Sequence, residues 1–167
     1  AKTAVSRLAG PEEIRRTCTE ASLLHSLQGE SVNIVRLFGV AILPPTLCIV
    51  LELCSEGSMG NILYDMTLKP SRTYDFAHQL LWVQQLELAL GAARGMSALV
   101  AALPGYSHND IKSANFLVDR PGSSKQASFV VKLADIEFAT LGVTPTHIAE
   151  GQVTPNWVAP EVLLGTS

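Results

Sequence analysis

The sequence predicts an α+β fold, in which helices and short strands occupy separate stretches of the chain. Apolar residues recur at spacings of three and four near its start and again in its middle, as in helices. Short apolar runs rich in β-branched residues lie between and after these stretches, and they predict strands. Hydrophobic residues make up 47% of the 167 residues and charged residues 16%, so the chain can bury a core and is not of the disordered class.

The first predicted helix covers residues 12–27, and two acidic residues stand in its first turn, where the helix dipole favours them. Its apolar positions predict one buried face, formed by Ile14, Cys18, Ala21, Leu24 and Leu27. Two strands are predicted next, over residues 33–40 and 47–53. The pair Pro44-Pro45 between them predicts a rigid turn and antiparallel pairing.

A polar connector over residues 55–58 follows, with Ser58 as the candidate N-cap of a short helix. This change from apolar to polar sequence predicts a boundary between two parts of the domain, 1–54 and 55–167. Residues 76–103 predict a long helix, apolar on nearly all sides, that tolerates two internal glycines.

Two further strands, 115–119 and 129–133, are predicted to form a hairpin. After Ala139 the chain is predicted to be irregular until Pro160 opens a last helical turn.

Charge and cysteine content limit the classes of function. Twelve basic against fifteen acidic residues give a net charge of −3, which argues against nucleic acid or an anionic membrane as the partner. Three cysteines without metal-ligand spacing predict buried thiols in a cytoplasmic, reducing environment. Neither a secretory leader nor a membrane-spanning segment is predicted in this stretch, and membrane attachment through other regions stays open.

The most informative segment is residues 108–115, H-N-D-I-K-S-A-N. Its residue types suit phosphoryl transfer: Asp110 can accept a hydroxyl proton, Lys112 can neutralise a phosphate, and Asn115 can supply an oxygen to Mg²⁺. Alone, the pattern is equally that of a polar loop capping the long helix.

The predicted hairpin adds a second acid. Asn115 enters its first strand and Asp135 leaves its second, so antiparallel pairing brings both to one end of the sheet. Amide and carboxylate oxygens there would form a site for a hard cation, unless Asp135 only ends the strand as a turn residue.

Three segments together resemble eukaryotic protein kinases. Residues 108–115 are similar to the catalytic loop H-R-D-L-K-x-x-N, residues 135–137 (D-I-E) to the magnesium-binding D-F-G, and residues 159–161 to A-P-E. The motifs K-S-A-N and T-P-N-W-V-A-P-E most resemble those of the tyrosine-kinase-like serine/threonine kinases. The resemblance covers essentially the whole chain and implies an incomplete two-lobe kinase fold, running from the end of the lysine strand to the activation segment.

The resemblance also implies how a nucleotide binds. Leu51 takes the gatekeeper place, and the backbones of Glu52 and Cys54 would form hydrogen bonds with adenine. Ser58 would lie near the ribose, and Leu117 would lie beneath adenine. A buried strand end explains the side chains before the connector equally well.

Two further residues complete the implied nucleotide site. Glu20 matches the helix acid that pairs with a strand lysine, and Lys2 resembles that lysine, which positions the α- and β-phosphates. An exposed helix acid and a terminal surface charge are the alternatives.

The sequence also departs from the family pattern. Asn109 replaces an arginine, which predicts activity independent of activation-loop phosphorylation, and Glu137 replaces a glycine beside the metal-binding aspartate. No glycine-rich loop occurs in this stretch, so the fragment is expected to be inactive alone.

The implied function is transfer of the γ-phosphate of ATP to a serine or threonine of a protein, with Mg²⁺ as cofactor. Asp110 and Lys112 are the expected catalytic residues, and Asn115 and Asp135 the expected metal ligands. The departures support an alternative, a weak or inactive pseudokinase that serves as a binding or scaffold module.

Overall fold

A computed structural model describes residues 10–43, 46–68, 80–122, 128–136, 139–141 and 155–164. The first helix, α1 (Pro11–Ser26), begins with a proline at its first turn and ends one residue before the prediction. Ala21, Leu24 and Leu27 are buried as predicted, but Ile14 and Cys18 are exposed, because only the second half of the helix reaches the core. The prediction that all three cysteines are buried is therefore wrong for Cys18.

The next two elements, β1 (Leu37–Leu43) and β2 (Thr46–Leu51), pair antiparallel as predicted. The first strand begins later than expected, since residues 33–35 bond to another strand instead. The two prolines of the predicted turn lie outside the described residues, although Leu43 pairs with Thr46 on either side of them.

A short strand, β3 (Gly57–Ser58), leads into the helix α2 (Met59–Leu68). Ser58 caps this helix as predicted, because its hydroxyl oxygen accepts the backbone N–H of Asn61 at 3.1 Å.

The long helix α3 (Trp82–Ala102) lies within the predicted stretch 76–103, and its buried residues, Leu88, Gly91, Gly95 and Leu99, form one stripe. The large apolar side chains exposed on the helix and just before it are Leu81, Trp82, Val83, Leu86, Leu90 and Val100.

The predicted hairpin consists of β5 (Phe116–Asp119) and β6 (Val130–Leu133), which join β3 in a sheet of order β3-β5-β6. Two elements around it were not predicted: β4 (Tyr106–Ser107) pairs antiparallel with β7 (Thr140–Leu141). Thus the stretch after Ala139 begins with a strand rather than with irregular chain. The last helix, α4 (Pro160–Leu163), opens at the predicted proline.

The core lies between α1, α3 and the β5–β6 hairpin, and this arrangement confirms the α+β prediction. Its fully buried large side chains are Leu24, Leu27, Leu99, Leu133, Ile136, Val35, Val118 and Val131. Among the described residues, no helix has the length and apolar character needed to cross a membrane.

Candidate active site

The loop between β4 and β5 brings two polar side chains into contact with one carboxylate. Asp110 is buried, and its Oδ2 accepts a hydrogen bond from Lys112 Nζ at 2.5 Å and from Asn115 Nδ2 at 2.9 Å. The same amide nitrogen also donates to the Asp110 backbone carbonyl at 2.9 Å. A turn of 3₁₀ helix over Ser113–Asn115 brings Asn115 back towards Asp110, so the spacing of five residues becomes a direct contact.

His108 lies beneath this cluster and is almost fully buried. Its Nδ1 accepts the backbone N–H of Asp110 at 3.3 Å. Burial lowers the pKa of His108, while the charges of Asp135 and Asp110 act in the opposite direction. The buried ring therefore lies close enough to both candidate site carboxylates to feel their charge.

The hairpin places Asn115 and Asp135 at the same end of the sheet. Phe116 pairs with Leu133, and the N–H of Ala134 donates to the Asn115 carbonyl at 2.8 Å. Both candidate ligands therefore lie just beyond this residue pair, at the same end of the hairpin. Asp135 has a φ of 58°, in the left-handed region that aspartate enters more readily than most residues.

The donor set fits a magnesium ion that is held partly by phosphate oxygens. The side-chain NH₂ of Asn115 donates its hydrogen bonds to Asp110, so the side-chain oxygen of Asn115 is left to bind a cation. Asp135 supplies a carboxylate as the second ligand. In the described part of the chain, no group of three or more His, Cys, Asp or Glu residues could hold a metal ion. A site of one carboxylate and one amide suits Mg²⁺, which commonly takes one or two carboxylates together with substrate phosphates.

Residues expected on the adenine side meet on β3 and β5. Ser58 pairs directly with Leu117, two residues along the strand from Asn115. Leu51 ends β2 and packs against the core, and the segment after it carries Glu52 and the buried Cys54. Burial and the neighbouring carboxylates raise the pKa of Cys54 to about 11, so its thiol stays protonated.

The predicted lysine–glutamate pair is not described by the structure. Glu20 is half-buried on α1, whereas Lys2 lies outside the described residues. Glu137, the departure beside Asp135, also lies outside them.

The contacts that hold β6 in place were not predicted from the sequence. The side-chain Nδ2 of Asn33 donates to Val131 O at 2.7 Å, and its backbone carbonyl accepts the N–H of Leu133 at 2.7 Å. The N–H of Val35 donates to Leu133 O at 2.9 Å. A buried amide between Val32 and Ile34 was the available signal, since a polar residue in an apolar run needs a partner.

A second missed cluster anchors the connector between β2 and β3. Asp119 Oδ1 accepts from the backbone N–H and the hydroxyl of Ser55, at 3.1 and 2.9 Å, and these bonds lower the pKa of Asp119. Arg120 lies over the ring of Phe129, 4.4 Å from its centroid, with Nε 3.4 Å from Glu56. The connector is thus fixed to the end of β5 opposite Asn115.

Comparison with known proteins shows the family to which this chain belongs. The family model of the protein kinase domain matches residues 1–167. The chain is 33% identical over 134 residues to probable serine/threonine-protein kinase drkA of Dictyostelium discoideum, covering 78% of this chain and 18% of that protein. It is 37% identical over 131 residues to probable serine/threonine-protein kinase drkD of the same organism, covering 78% of this chain and 9% of that protein.

A plant protein is similar over more of the chain. Identity to serine/threonine-protein kinase CTR1 of Arabidopsis thaliana is 30% over 153 residues, which are 91% of this chain and 17% of that protein. The chain therefore spans less than a fifth of the length of these three relatives. Because the family model matches this chain over residues 1–167 and the relatives are named as serine/threonine kinases, the chain belongs to the protein kinase family.

Proposed function

We propose that this chain forms the catalytic centre of an ATP-dependent serine/threonine kinase of the tyrosine-kinase-like group, acting on a protein substrate inside the cell. The observation that carries the proposal is the cluster on Asp110, whose buried carboxylate accepts bonds from both Lys112 and Asn115. A buried carboxylate held by an ammonium and an amide beside two oxygen donors is suited to positioning and charge neutralisation during phosphoryl transfer.

Each group has a distinct role in this proposal. Asp110 orients the substrate hydroxyl and accepts its proton, and Lys112 offsets the negative charge of the transferred phosphate. Asn115 and Asp135 would hold Mg²⁺, which supplies positive charge to the phosphates when bound. The backbones of Glu52 and Cys54, with Ser58 and Leu117, would receive adenosine, and Lys2 fixed by Glu20 would position the α- and β-phosphates.

The test is magnesium-dependent ATP turnover by the full-length protein that contains this chain, compared with its Asp110→Asn and Asp135→Asn variants. Both substitutions keep the side-chain shape and remove a charge, so we expect each to lower kcat by at least about 100-fold. Glu12→Gln is the matched control, since it removes an exposed carboxylate on α1 and should leave turnover unchanged. Undiminished turnover by Asp110→Asn would overturn the proposal.

A pseudokinase is the second candidate function, and the departures at Asn109 and Glu137 favour it. A carboxylate in place of glycine next to Asp135 changes both the charge and the backbone freedom of the metal site. The same experiment separates the two functions. A pseudokinase would show no turnover even as the full-length parent protein, and calorimetry would then establish whether ATP still binds.

A further inference from the structure

A half-buried ion pair joins two segments that are distant in sequence. Lys132 Nζ lies 3.0 Å from Oε1 of Glu52, and the two side chains are only 13% and 19% exposed. The same Oε1 accepts the backbone N–H of Arg36 at 2.7 Å, and the N–H of Glu52 donates to the Arg36 carbonyl at 2.9 Å. The backbone and the side chain of Glu52 are therefore both restrained, by hydrogen bonds to the backbone of Arg36 and by the ion pair with Lys132.

The two residues belong to segments that serve different parts of the proposed nucleotide site. Lys132 is on β6, three residues before Asp135, the proposed metal ligand. Glu52 directly follows β2, in the segment whose backbone is proposed to contact adenine. Their contact thus links the part of the site that receives the base to the strand that delivers the metal-binding carboxylate.

Among the described residues, apolar packing does not fill the space beside this link. A cavity of about 610 Å³ lies there, and Glu52 and Lys132 form part of its lining together with Arg36, Ile34, Val32 and Gln28. Since this side of the segment is open, the ion pair and the bonds to Arg36 supply the restraint that a packed core would otherwise give.

The burial of Lys132 argues against a role in solubility alone. Lysine side chains are rarely so enclosed unless they are paired, and enclosing one costs free energy that the pair with Glu52 offsets. Its Nζ contacts Glu52 rather than the cluster on Asp110, so its effect on chemistry would be indirect.

We infer that Lys132 is a positioning residue, which, through Glu52, keeps the adenine-binding backbone at a fixed separation from Asp135. This inference rests on the proposed function. Loss of the pair would loosen the segment after β2 and weaken nucleotide binding, while the groups around Asp110 would stay in place.

The experiment measures the KM for ATP and kcat of the full-length protein and of its Lys132→Met, Glu52→Gln and double variants. We expect each single substitution to raise the KM for ATP roughly fivefold with kcat within about twofold of the parent. The double variant should be no worse than either single variant, because the second change has no pair left to break. Lys132→Arg should restore most of the affinity. Arg15→Met is the matched control, as it removes the cation of an exposed ion pair on α1.

Several outcomes would overturn the inference. They are an unchanged KM in Lys132→Met, additive effects in the double variant, or a change in kcat with the KM unaltered. Circular dichroism checks that each variant folds. If Lys132→Met does not fold, the KM values of the single variants Glu52→Gln and Lys132→Arg test the inference instead. If the parent chain binds ATP but does not turn it over, calorimetric affinities replace the KM. The inference can then fail or hold separately from catalysis. A parent that binds no ATP would overturn both.

Discussion

Gly95 lies against the backbone of Asn33 so closely that a methyl group at Gly95 would come within 2.8 Å of the Asn33 carbonyl oxygen. One turn earlier, a methyl group at Gly91 would lie 2.7 Å from the Cβ of Val131. The helix α3 therefore needs these glycines to approach β6 and the segment that bonds to it. Two positions that sequence analysis treated as tolerated are in fact required by packing.

Gly95→Ala should destabilise the fold despite the better helix propensity of alanine. The clash with a hydrogen-bonded backbone oxygen is expected to cost about 1–3 kcal/mol, against a propensity gain of about 1 kcal/mol. We expect a lower free energy of unfolding in urea, followed by circular dichroism. Ser97→Ala, at an exposed position of the same helix, is the control and should be neutral or slightly stabilising. Equal stability of Gly95→Ala and the parent would contradict the close approach.

Removing the amide of Asn33 should leave the Val131 carbonyl without its side-chain donor. Asn33→Ala is expected to cost about 1–3 kcal/mol, since that carbonyl accepts the Asn33 amide at 2.7 Å in a buried site. Asn33→Asp should cost more, because a carboxylate cannot donate and would repel the carbonyl oxygen. Thermal unfolding of the two variants checks that Asn33→Asp is the less stable. The reverse order of stability would show that the hydrogen bond from the Asn33 side chain is unimportant.

Lys112→Met should lower phosphoryl transfer without abolishing nucleotide binding. The ammonium group is bonded to the Asp110 carboxylate, and its loss removes the charge proposed to face the transferred phosphate. We expect kcat to fall about 100-fold and the calorimetric Kd for ATP to change by less than about threefold. Lys112→Arg should be intermediate, since it keeps the charge but not the compact shape. An unchanged kcat in Lys112→Met would remove this residue from the mechanism.

The buried His108 should make the fold less stable in mild acid. Because burial lowers the pKa of His108 below its ordinary value of 6.5, the unfolded chain takes up a proton that the folded chain does not. Stability should therefore decline as the pH falls below about 6.5 towards the lower pKa of the folded state. Urea unfolding at several pH values between 7.5 and 5 measures this slope, and His108→Gln should show a shallower one. Identical slopes would mean that the ring is not held neutral.

The cysteines should differ in their reaction with iodoacetamide at pH 8. With a pKa raised to about 11, Cys54 has roughly one thiolate in a thousand at this pH, and it is buried as well. Cys18 is exposed on α1 and should be labelled first, as mass spectrometry of peptides would show. Cys54 should react only after unfolding in urea, and Cys18→Ser provides the background for that measurement. Rapid labelling of Cys54 in the native chain would contradict its burial.

The division at residues 54 and 55 stays a prediction. The structure nevertheless shows how firmly the connector is attached, through Ser55 to Asp119 and through Glu56 to Arg120. No local pattern in the connector indicated these bonds, because their partners lie more than sixty residues later in the chain.

Much of the site could be predicted because its chemistry is encoded in short spacings. Asp110, Lys112 and Asn115 lie within six consecutive residues, and the hairpin that carries Asp135 is marked by apolar runs on either side of a polar loop. The predicted helices and most strands followed from the same local signals, with end positions that shifted by a few residues.

The helices, four of the strands and the residue types of the candidate site could thus be predicted from local sequence, since each depends on neighbours within about ten positions. Three contacts could be found only in the folded structure: Asn33 donates to a strand 98 residues away, β4 pairs with β7, and Lys132 forms an ion pair with Glu52. Such contacts depend on how whole helices and strands are placed relative to one another. That placement is set by the summed packing of the core, and no local stretch of sequence contains it.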